Sequence, residues 1–162
     1  MIGRTESMEP GRAMAPDFAR VVDILGGPGM LDRKVEGPLD AHDLLRRGLP
    51  AAVLNHLVEI VGLFRDPASL EKAIGISVRT LQRRKVDPSK PLNPEQSGRA
   101  WKFAEILARA TAVLGSRAEA EQWLVRPAIG LDGRRPLDLL ETTAGVEIIE
   151  DHLERLEYGV YT

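Results

Sequence analysis

The chain has 162 residues, of which 43% are hydrophobic, 28% charged and 4% aromatic, and it contains no cysteine. That composition describes a folded chain with an aliphatic core and excludes disulfide frameworks, thiol nucleophiles and cysteine-built zinc sites. The net charge of −2 hides a segregation: residues 66–109 carry nine basic and five acidic side chains, residues 110–162 five basic and ten acidic. A basic middle followed by an acidic end suits two surfaces with two different partners. No apolar run reaches the length of a signal peptide or a membrane span, so a cytoplasmic location without a membrane partner is expected.

Residues 1–17, with Gly3, Pro10, Gly11 and Pro16 and no apolar period, read as a disordered or loosely held tail. A short helix over Phe18–Leu25 should stop at Gly26-Gly27-Pro28-Gly29, a string expected to break any regular element. Asp40 is placed to cap a helix through Arg47, with Gly48 as its stop, and Pro50 to open Ala51–Val61. Asp66-Pro67 opens the next helix, which Gly75 ends, and Ser77 opens another to about Lys85. Asn93-Pro94-Glu95-Gln96 has the form of a capping box and starts the longest helix, running to Leu114. Ser116 with Glu119 repeats that device for Arg117–Val125. After a turn at Asp132-Gly133, Leu137–Leu140 forms a short helical piece and Thr143 caps a last helix to about Tyr158. No segment sustains period-two alternation, so the fold class is all-α with seven or eight helices. The divisions expected are a tail over 1–17, a helical DNA-binding and dimerisation domain over 18–109, and a C-terminal module over 110–162.

Within the second division, residues 70–84 have the layout of a helix–turn–helix. Leu70 and Ile74 face the core, Gly75 makes the left-handed turn, Ile76 plugs the junction and Leu81 anchors the second helix. Ser77, Arg79, Thr80, Gln82, Arg83, Arg84 and Lys85 are left as candidates to reach phosphates and base edges in a DNA major groove. Lys90, Arg99 and Lys102 would extend the positive surface that phosphate affinity needs. An ordinary helical hairpin with a solvated basic face is the plainer alternative.

In the C-terminal module, Val146, Ile149, Leu153 and Leu156 follow steps of three and four and form one apolar stripe of the last helix. Trp123 reads as core. The segment from 110 to 161 closely resembles the C-terminal toxin-binding domain of the Xre/MbcA/ParS family of antitoxins. The matching landmarks are Gly115, Ala120, Trp123, Leu124, Pro127, Leu131, Gly133, Arg135, Pro136, Leu137, Leu140, Thr143, Gly145, Leu153, Tyr158 and Gly159. The chain departs from the pattern at Asp132, where a second glycine is common, and at Arg134. That family also places a helix–turn–helix upstream, so the resemblance extends over about residues 40–162.

The resemblance implies a non-enzymatic antitoxin of a type II toxin–antitoxin system. Its partner would be a RES-domain toxin that consumes NAD or uses it to ADP-ribosylate a target, and its C-terminal end would cover the toxin's active site. The covering residues would be Arg155, Glu157, Tyr158, Gly159, Val160 and Tyr161. A site built for NAD phosphates is basic, so Glu147, Glu150, Asp151 and Glu154 are complementary candidates on the last helix, although a merely solvated face would carry the same charges. The helix–turn–helix would bind the operator of the protein's own operon as a homodimer. The alternative is a plain transcriptional regulator whose C-terminal module only dimerises. No catalytic or metal role and no cofactor is expected. His42, His56 and His152 lie far apart without metal-ligand spacing, and Gly26–Gly29 lacks the lysine and hydroxyl of a phosphate loop.

Overall fold

Helix boundaries in the computed structural model, which describes residues 18–159, follow local caps. Residues 1–17, where a loose tail is expected, and Val160 and Tyr161 of the expected cover lie outside the described residues. The described residues form nine α-helices: α1 (Phe18–Ile24), α2 (Gly27–Leu31), α3 (Pro38–Arg47), α4 (Ala51–Ile60), α5 (Pro67–Ile74), α6 (Val78–Val86), α7 (Pro94–Leu114), α8 (Arg117–Leu124) and α9 (Thr143–Glu157). Tight 3-10 segments over Gly62–Arg65, Ile129–Leu131 and Pro136–Glu141 link them. The only extended pairing among the described residues is an isolated bridge between Ala128 and Arg134. The all-α expectation holds, with more helices than the sequence suggested.

The excess begins at the glycine string. Gly27–Leu31 is helical rather than broken, because Pro28 falls in the first turn, where a missing N–H breaks no bond and the fixed φ suits the helix. The same property of proline moves the start of α3 forward to Pro38. Asp40 therefore lies inside the first turn and accepts from the Glu36 backbone N–H at 3.0 Å instead of capping the helix. At α9 the cap shifts by one residue: the Thr142 hydroxyl accepts from Gly145 N–H at 2.9 Å, and Thr143 is the first helical residue. Elsewhere the expected caps form. Asp66 accepts from Ala68 N–H, Ser77 from Thr80 N–H and Ser116 from Glu119 N–H. Asn93 and Gln96 make both bonds of a capping box, at 2.8 and 3.1 Å.

One apolar core runs from Val21 of α1 to Leu153 of α9. Its axis is α7, which buries Ala100, Trp101, Phe103, Ala104, Ile106, Leu107, Ala108 and Ala110 against α1, α3, α5, α8 and α9. Phe103 meets Phe64 with ring centroids 4.7 Å apart, a tilted pair in the favourable range. Buried Ser97 ties the two connectors beside α7 together. Its Oγ accepts from Leu49 N–H at 2.9 Å, and Leu92 N–H donates to Leu49 O at 2.9 Å. On the far side, Glu121 of α8 accepts from Leu63 N–H at 2.9 Å.

Phe103→Ala empties the centre of this core and should destabilise the whole chain by about 3–5 kcal/mol, read as a lowered urea midpoint with a single cooperative transition spanning both halves.

Candidate functional site

Two surfaces answer to the two charge blocks. The first is the helix–turn–helix. Leu70, Ile74 and Ile76 are fully buried, Leu81 is half-buried against the core, and Gly75 turns the chain with φ of +76°. A side chain at Gly75 would be strained by that φ and would also collide with the Arg99 guanidinium, which lies over the turn and donates to Lys72 O at 2.6 Å. The arrangement expected from residues 70–84 is thus the one observed.

Helix α6 has no fully buried residue and packs mainly on α4, with Leu81 turned to the core. Arg79, Gln82, Arg83 and Lys85 are exposed. The other candidates are only partly exposed. Ser77 and Thr80 are half-buried and bonded hydroxyl to hydroxyl at 3.1 Å, and Arg84 is half-buried with its Nε lacking a hydrogen-bond partner. Lys90 is exposed, whereas the other two flanking cations are used internally. Arg99 closes the turn, and Lys102 pairs with Glu105 at 2.9 Å and with Glu150 of α9 at 3.0 Å. Burial works against the Lys102 charge, but the hydrogen bonds to Glu105 and Glu150 outweigh it and raise its pKa.

The second surface is α9 with the segment before it. Ile149 and Leu153 are fully buried, and Val146 and Leu156 are half-buried against the core, so the expected stripe is the inner face. His152 joins it, 8% exposed, stacked on Trp123 with centroids 6.1 Å apart and planes 7° apart. Burial, with Arg155 adding to it, pushes the imidazole pKa down and favours its neutral form. The candidate acidic residues divide. Glu147 and Asp151 are exposed and Glu154 half-exposed, whereas Glu150 points to Lys102 and Glu157 lies 3.8 Å from Arg109. Arg155 and Gly159 are exposed, and Tyr158 is 61% exposed at the helix end. Sequence reasoning missed Ile148, 49% exposed on α9, and Ile129, 92% exposed in the Ile129–Leu131 segment. The signal was available for Ile148, an isoleucine off the 146–149–153–156 stripe.

Several landmarks acquire structural reasons. Arg135 holds Asp138 with two bonds, at 2.9 and 2.7 Å, and Lys72 of α5 reaches the same carboxylate at 2.5 Å. The bonds from Arg135 and Lys72 hold the Asp138 carboxyl well below the usual range. This cluster fastens the first helix of the helix–turn–helix to the Pro136–Glu141 segment. Gly145 lets the first turn of α9 lie on that segment, since a Cβ there would strike Leu139 O. Asp132 adopts φ of +54°, a conformation natural for glycine and tolerated by aspartate, so the turn keeps its left-handed residue without a glycine at this position. Among the described residues, no three His, Asp or Glu side chains gather to hold a metal ion, and no helix is long and apolar enough to cross a membrane.

The fold is that of a helix–turn–helix protein joined to a small helical module with an exposed acidic face. Residues 40–105 match the family described as the antitoxin Xre-like helix-turn-helix domain, and residues 109–159 the antitoxin Xre/MbcA/ParS C-terminal toxin-binding domain. With both domains in family order, the chain belongs to the Xre/MbcA/ParS antitoxins. It is similar to a protein named Antitoxin Xre from Yersinia enterocolitica, 34% identical over 59% of this chain and 64% of the relative. A second Antitoxin Xre, from Pseudomonas putida, is 33% identical over 52% of each. A Sphingobium protein named Prs ADP-ribosylating antitoxin is 23% identical over 76% of this chain and 82% of its own length. The matches to the first two thus span between half and two thirds of those relatives.

Asp138 has a depressed folded-state pKa, so the stability it contributes is present above the unfolded carboxylate range and is lost as pH falls toward the folded value. Asp138→Asn should therefore be less stable than the wild type at pH 7, and the gap between the two denaturation midpoints should close as the medium is acidified.

Proposed function

We propose that this antitoxin neutralises a RES-domain toxin, one that consumes NAD or transfers ADP-ribose from it, by covering the toxin's active site with α9 and the residues after it. The observation that carries this reading is the matched toxin-binding segment, 109–159, ending in a helix with exposed Glu147 and Asp151 and an exposed terminal Tyr158. Negative charge complements a site built for NAD phosphates, and tyrosine offers a large contact at low entropic cost. The relative named Prs ADP-ribosylating antitoxin supports the same chemistry. Glu150 and Glu157 support the geometry indirectly, by fixing α9 on α7, while Glu147, Asp151, Glu154 and Arg155 carry the contact together with Tyr158, Gly159, Val160 and Tyr161. The antitoxin is not itself catalytic in this scheme and acts in the cytoplasm, where α6 also binds the operator of its own operon through Arg79, Gln82, Arg83 and Lys85, as a homodimer.

A cut after Glu154 or Arg155 would remove half-buried Leu156 and the Glu157–Arg109 pair, confounding grip with folding. Removing only residues 158–162 avoids that confusion. The shortened chain should keep its unfolding midpoint and α6-dependent DNA binding, yet lose most of its protection when co-expressed with the toxin from the neighbouring reading frame. Full protection by the shortened chain would overturn the covering role of the C-terminal end, and failure of the full chain to co-purify with that toxin would overturn the neutralisation reading.

A further inference from the structure

The outward face of α6 is not simply basic. Val78 opens the helix and is 41% exposed, and Val86 closes it at 87%. With Gln82 they lie at steps of four, so valine, amide and valine form one outward row beside the exposed Arg79 and Arg83. A solvated helix face gains nothing from β-branched residues, which are poor helix formers. The two hydroxyls beside the row are half-buried and bonded to each other: Ser77 accepts from Thr80 N–H and donates to its Oγ1. Arg84 is half-buried. No residue from 77 to 86 is acidic.

In helix–turn–helix docking, the first turns of the second helix face base edges in the major groove. We propose that α6 reads an A·T-containing site directly, with the Val78 methyl groups against a thymine 5-methyl and the Gln82 amide paired to an adenine through N6 and N7. This rests on the reading of α6 as a DNA-binding helix. Apolar contact distinguishes thymine by its methyl group, and a planar amide matches the donor and acceptor of adenine. Arg79 and Arg83 flank the row, and Lys85 lies further along as a phosphate contact. Val86 lies about 12 Å along the axis from Val78 and so beyond the base-reading turns.

The test uses the full chain and a duplex selected from a random-sequence pool, with affinity measured at several salt concentrations. Replacing one thymine of the selected site by uracil, which removes only the methyl group, should weaken wild-type binding about three- to fivefold. The same replacement should leave Val78→Ala unaffected. An adenine replaced by 7-deazaadenine should likewise weaken the wild type but not Gln82→Ala. Lys85→Ala should lower affinity on every duplex alike and reduce the salt slope by about one. Because no residue of α6 is buried, these variants should keep the wild-type unfolding midpoint, and that is measured alongside. Salt-sensitive binding that is indifferent to uracil at every thymine overturns the base-reading assignment alone. Absence of any salt-sensitive binding overturns the DNA-binding reading of α6 and the assignment with it.

Discussion

The buried positions of α7 are spaced by one, two and three residues as well as by four, so the helix is walled in on more than one face. Alanines at 100, 104, 108 and 110 let neighbouring helices approach closely, while Phe103, Ile106 and Leu107 fill the space between them. The two matched segments meet inside this helix, between residues 105 and 109, and no linker separates them. A helix continuous through a boundary transmits position rigidly, so the base of the helix–turn–helix and the module that carries α9 share one core.

Polar contacts reinforce the same union. Lys72 with Asp138, Lys102 with Glu150 and Arg109 with Glu157 each join the basic segment to the acidic one. These pairs are partly exposed, where single ion pairs contribute modestly, so their value lies more in orientation than in stability. They also change the meaning of the charge segregation. Part of each block thus neutralises the other inside the molecule, so the cations and carboxylates in these three pairs are not free charges of either block.

Several residues that mark the family in sequence are thereby assigned to architecture rather than to contact. Arg135 shares Asp138 with Lys72 and so anchors the Pro136–Glu141 segment to α5, Gly145 lets α9 lie on that segment, and Trp123 stacks on His152. Ile129, Ile148, Glu147 and Asp151 are left exposed on the module.

The sequence alone determined the helical class, most of the caps, the helix–turn–helix register and the inner stripe of α9, because all of these depend on residues within one or two turns of each other. It failed where a proline's tolerance of the first turn outweighed neighbouring glycines, at α2 and α3. It also could not tell which charges face outward. Arg99 and Lys102 look like additions to a DNA-binding surface until the turn at Gly75 and the side of α9 are brought against them. Those partners lie 27 and 48 residues away in the chain, and only packing around α7 decides that they meet.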